Sequence, residues 1–101
     1  MDNENPRDWG NIEMSLEELR EEIEEIDREI VNLIARRTYI ADSLAKVKAE
    51  KGLETIDEEQ EQLVMNRAGR YAEQFDVDSN LVKAIFRLLI ELNKLEQREK
   101  R

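Results

Sequence analysis

The chain has no cysteine and no histidine in 101 residues, which excludes a disulfide framework, a thiol nucleophile, an imidazole base and the usual zinc sites at once. Any chemistry has to run on carboxylates, amines, guanidiniums, amides and hydroxyls. Basic residues are in deficit, 16 against 25 acidic ones for a net charge of −9. A nucleic-acid partner is therefore not expected, since phosphate binding draws on an excess of Lys and Arg. No apolar run approaches the span of a bilayer, and the start MDNENPRDWGNIEM is polar and acidic, with neither a basic opening nor an apolar stretch. Neither a membrane segment nor a signal peptide is expected, and the default location is the cytoplasm. Aromatic residues make up only 5% of the chain and charged ones 41%, a composition shared by disordered polyelectrolytes and long charged helices. The length leaves room for one domain.

Periodicity decides for helices. Residues 1–14 hold the only proline, Pro6, and the sole tryptophan, Trp9, and show no helical or alternating period; they are read as a flexible N-terminal extension to a helical domain over residues 15–101. Ser15-Leu16-Glu17-Glu18 is a capping box. From there Leu16, Leu19, Ile23, Ile26, Ile30, Leu33, Ile40, Leu44 and Val47 recur at steps of three and four, a heptad seam. With Gly52 as the stop, the helix is about 36 residues and about 54 Å long. It overshoots a compact domain of this size, whose radius of gyration is about 13 Å, so its seam needs a second copy to cover it. Asp57 caps a second helix, with Gln60 completing a capping box and an apolar stripe of Val64, Ala68, Tyr71 and Phe75. Asp78 caps a third, rich in Leu and Ile from Leu81 to Leu95. The expected fold is all-α, with one long and two shorter helices per chain and no strand.

Function is sought where polar residues interrupt the apolar stripes. Arg37 stands in the seam between Leu33 and Ile40, where burial of a bare guanidinium costs several kcal/mol, so it needs an anionic partner, either a ligand or a glutamate from a neighbouring helix. Lys48 lies on nearly the same face, about 16 Å further along the axis. The second helix's stripe extends backwards to Glu61 and Asp57, although a first-turn charge and a helix cap explain those two as well. The third helix's stripe runs from Phe86 and Ile90 on to Asn93 and Gln97. Three helices turning polar on their inner faces describe a pocket for a small anionic, hydroxyl-bearing molecule. Arg20 lies about 25 Å from Arg37 along the helix and reaches the same ligand only from the partner subunit of an antiparallel pair.

In Leu19-Arg20 with Ile26-Asp27, Leu33-Ile34-Ala35-Arg36-Arg37, Lys46-Val47-Lys48, Asp57 with Glu61, and Ile90-Glu91-Leu92-Asn93 followed by Gln97, the chain resembles the all-helical class of chorismate mutases over residues 15–99. The resemblance implies an intertwined homodimer that needs no cofactor or metal and converts chorismate to prephenate by a Claisen rearrangement, on the route to phenylalanine and tyrosine. It implies that Arg37, and Arg20 across the interface, grip the substrate's two carboxylates. Lys48 and Gln97 donate to the ether oxygen, Glu61 with Asp57 nearby holds the ring hydroxyl, and Asn93 assists a carboxylate. The family commonly has Asp-x-x-Arg-Glu at the head of the second helix, where this chain has Asp57-Glu58-Glu59-Gln60-Glu61; the missing arginine bears on affinity or on which related anion is preferred. Isochorismate-pyruvate lyases of the same fold are the nearest alternative. A helical dimerisation module without chemistry is the second, and a regulatory domain binding aromatic amino acids a weaker third. The surplus acid falls in runs such as Glu21-Glu22, Glu24-Glu25 and Glu58-Glu59, a coat suited to high salt.

Overall fold

The computed structural model describes residues 14–54 and 57–99, and it is all-helical: α1 over Leu16–Glu50, α2 over Glu58–Gln74 and α3 over Ser79–Glu99. Most of the extension expected at residues 1–14 lies outside the described residues. No strand occurs among those that are described.

Each helix starts where its cap dictates. The Ser15 hydroxyl accepts from the Glu18 N–H at 3.1 Å while the Glu18 carboxylate accepts from the Ser15 N–H at 2.9 Å, which satisfies two otherwise free donors. Asp57 accepts from the N–H groups of both Glu59 and Gln60, and Asp78 from that of Leu81 at 2.9 Å. The capping box expected at the second helix does not close, because the Gln60 side chain lines a cleft instead.

Both reversals use one backbone device. After α1, Gly52 takes φ +75° and the N–H of Leu53 reaches back to the Lys48 carbonyl at 2.8 Å. After α2, Asp76 takes φ 65° and the Val77 N–H reaches the Ala72 carbonyl at 2.9 Å. A left-handed residue followed by this long backward bond is the Schellman stop, and glycine or a short polar side chain tolerates the left-handed conformation best.

The α2–α3 pair is an antiparallel hairpin, with early α2 beside late α3 (Glu61 to Lys94) and Gly69 beside Lys83. Its tightest contact is made by the small residues Ala68, Gly69 and Ala72, which are the buried positions of α2. A Cβ on Gly69 would sit 2.6 Å from Lys83 Cε. The expected stripe is thus rotated: Ala68 is inside, while Tyr71 and Phe75 remain 52% and 40% exposed, because large rings cannot enter so close an approach. α1 rests on α3, stands off α2, and has no buried residue at all. Its apolar seam lies open along its length, and the chain measures 54 × 25 × 24 Å with a radius of gyration of 17.0 Å, against about 13 Å for a compact domain of this length.

Candidate active site

Because α1 touches α3 but not α2, a cleft of about 600 Å³ remains between the long helix and the hairpin. α1 gives it Arg36, Arg37 and Lys48 on an apolar wall of Leu33, Ile40 and Leu44. α2 gives Gln60, Glu61 and Arg67, and α3 gives Ile90, Asn93, Lys94 and Gln97. Arg37 of the seam, Lys48 on nearly the same face, the first-turn Glu61 and both amides of the third helix therefore share one cavity. Asp57 and Arg20 do not line it: Asp57 is spent on capping α2, and Arg20 is exposed on the distal part of α1.

Arg37 is the best-defined group. Its Nη1 donates to Asn93 Oδ1 at 2.7 Å, and its guanidinium carbon lies 5.8 Å from the centre of the Phe86 ring, within cation–π range. Burial, and secondarily repulsion from Arg67, lowers its pKa from the usual arginine value; a guanidinium nonetheless stays charged. Asn93, only 8% exposed, donates in turn to Thr38 Oγ1 at 3.1 Å. The amide thus links two adjacent residues of α1 and fixes the guanidinium's direction. Among the described residues no carboxylate pairs with Arg37. Of the two partners expected, a ligand or a glutamate, the glutamate is not supplied by the described residues; a neutral amide occupies that place.

Glu61 does have a partner. Lys94 Nζ lies 3.0 Å from its Oε2 and 3.3 Å from its Oε1, with both side chains mostly shielded. Lys94, Arg67, Arg36 and Thr38 were not anticipated. The signal for Lys94 was present, since it lies four residues after Ile90 and three before Gln97, on the face already traced. Arg67 directly precedes the buried Ala68 and has the ordinary look of a solvated charge. The Lys48 ammonium makes no hydrogen bond or ion pair among the described residues, so a positive group at the far end of the cleft is uncommitted. Among the described residues no cluster of three or more acidic side chains is placed to hold a metal ion, and no helix is long and apolar enough to cross a membrane.

The cleft therefore offers a directed guanidinium, a free ammonium, an oriented carboxylate and amide donors on an apolar wall. Among the described residues that line it there is no nucleophile–base pair. Such a set can clamp a small polyanion and stabilise charge developing on one of its oxygens.

Comparison with known proteins agrees. Residues 19–98 match the family described as chorismate mutase type II. The chain is 37% identical over 84 residues to the chorismate mutase of Methanocaldococcus jannaschii, covering 83% of this chain and 85% of that one. It is also similar to the T-protein of Haemophilus influenzae, at 30% identity over 72% of this chain. The bifunctional chorismate mutase/prephenate dehydratase of Buchnera aphidicola subsp. Schizaphis graminum matches at 28% over 79% of it. The matched region is 19% and 21% of the length of those last two proteins.

Proposed function

Because the chain belongs to the chorismate mutase type II family, we propose that it is a chorismate mutase that rearranges chorismate to prephenate in the cleft between α1 and the α2–α3 hairpin. We place the reaction in the cytoplasm, on the route to phenylalanine and tyrosine. The observation that carries this reading is the partnering of Arg37. A partly buried guanidinium directed by Asn93 and matched to no carboxylate among the described residues is a half-made ion pair, and a substrate carboxylate completes it.

The rearrangement breaks the ether C–O bond as a C–C bond forms within one molecule; no proton moves and no adduct with the enzyme forms. The protein has two tasks, to hold the enolpyruvyl arm over the ring and to stabilise negative charge growing on the ether oxygen. Arg37 grips one carboxylate. Lys48 and Gln97, both half-buried in the cleft, donate to the ether oxygen. Glu61 accepts from the ring hydroxyl, and the Asn93 amide supports the carboxylate grip by aiming Arg37. Asp57 acts at one remove, capping the helix that presents Glu61.

The acting species is a homodimer paired through the open seam of α1. Arg20 of the partner subunit then supplies the second carboxylate clamp that a single chain's cleft lacks. The exposed glutamate runs of α1 and α2 form an acidic coat that favours a saline cytoplasm. The decisive experiment is incubation of the purified protein with chorismate, with product identification by mass and absorbance. Prephenate is expected, and its formation should be abolished in Arg37→Ala. Salicylate and pyruvate from isochorismate would assign the lyase instead, and chorismate left unchanged would overturn the reading.

A further inference from the structure

We propose that Lys94 is a positioning residue for the reaction: it acts through Glu61, holding that carboxylate aimed into the cleft so that it accepts the substrate's ring hydroxyl. The inference rests on the function proposed above. It starts from a contact between two helices, since Lys94 near the end of α3 meets Glu61 in the first turn of α2, with Nζ 3.0 Å from Oε2 and 3.3 Å from Oε1. The two side chains are 21% and 26% exposed and both line the cleft. Lys94's other acidic neighbour, Glu91, is 3.9 Å away on the same helix and 58% exposed, so the ammonium is committed chiefly across the helices.

A carboxylate that receives a neutral hydroxyl needs a fixed direction and unused lone pairs. An ammonium placed across both oxygens fixes the direction. It leaves free part of the roughly four acceptor positions that a carboxylate offers. Without Lys94, Glu61 has no other partner among the described residues, and its side chain regains the rotamers that lead to solvent. The two residues are far apart in sequence, but the antiparallel register of α2 and α3 makes them neighbours, and the Ala68-Gly69-Ala72 contact that fixes this register lies deeper in the hairpin. The pair is therefore carried by the hairpin without being its main support.

The test is a double-mutant cycle on the full chain with chorismate as substrate, comparing wild type, Lys94→Met, Glu61→Gln and the double variant, with Lys94→Arg as the conservative replacement. Lys94→Met should lower kcat/KM by about ten- to a hundredfold, the worth of one hydrogen bond to a charged group. The loss should appear mainly in KM, because the hydroxyl is held alike in ground and transition states. The double variant should be no worse than Glu61→Gln alone, and Lys94→Arg should recover most of the activity. Additive losses would overturn the proposal by showing that Lys94 meets the substrate itself. A lowered melting temperature with unchanged kcat/KM would overturn it by making the pair merely structural. Should Lys94→Met fail to fold, Lys94→Leu gives the same comparison with another apolar side chain that offers Glu61 no donor. Failure of the underlying function would show itself separately, as wild-type protein that leaves chorismate unchanged.

Discussion

Replacing Lys48 with methionine separates catalysis from stability more cleanly than any other change in the cleft. The ammonium makes no hydrogen bond or ion pair among the described residues, and the backbone carbonyl that receives the Leu53 N–H is unaffected by the substitution. The only electrostatic loss to the fold is the charge complementing the last turn of α1, worth about 0.3–1 kcal/mol. In a domain of this size that is a fall in melting temperature of up to about 8 °C, compared at equal protein concentration. Methionine keeps the length and the apolar stem, so the wall of the cleft is retained. Loss of the donor at the ether oxygen should instead raise the barrier by about 2.7–4 kcal/mol, lowering kcat by about a hundred- to a thousandfold. The assay is the disappearance of chorismate under saturating substrate, with helix content and melting recorded on the same preparation. A kcat within tenfold of wild type in a folded protein would refute the assignment of Lys48 to the breaking bond. A rise in KM at constant kcat would reduce its role to holding the substrate.

Other consequences are equally measurable. Asn93→Ala removes the acceptor of Arg37 and the donor to Thr38; it should cost about 1–3 kcal/mol in urea unfolding and raise KM as the guanidinium loses its direction. Gly52→Ala meets no atom within 4 Å and should cost about 1–2 kcal/mol, all of it from the left-handed backbone; an unchanged denaturation midpoint would contradict that account. If the acidic coat is adapted to salt, melting temperature should rise between dilute and molar KCl, where the screening length falls to about 3 Å; a flat response would count against it.

The N-caps of all three helices and the stop of the first were legible in the sequence because they are local, although the Gln60 half of the second helix's capping box was not realised. Ser15 with Glu18, the turn at Gly52, and the carboxylates of Asp57 and Asp78 each act within a few residues. Arg37, Glu61, Asn93 and Gln97 were legible as one set because each continues an apolar period with a polar residue, and Lys48 because it shares Arg37's face of a helix whose phase is known. What the period could not convey was depth. It ranked Tyr71 and Phe75 with Ala68, whereas the approach of α2 to α3 is set by the smallest residues, and the rings are left outside. It also could not pair charges across helices. Lys94 and Glu61 meet through the register of a hairpin, and Arg37 has an amide beside it where charge balance alone left a ligand or a glutamate open.

The open seam of α1 carries one more consequence. A chain whose longest helix buries no residue, and whose buried apolar side chains among the described residues are Ala68 and Ala72, has little to hold it folded in isolation. In the proposed dimer, acquiring structure and finding a partner become a single bimolecular event. The unfolding midpoint then climbs with protein concentration. Specific activity falls on dilution, since each cleft loses its borrowed Arg20 when the helices lose each other. The amount of enzyme in a cell would thus set both how much catalyst there is and what fraction of it is competent.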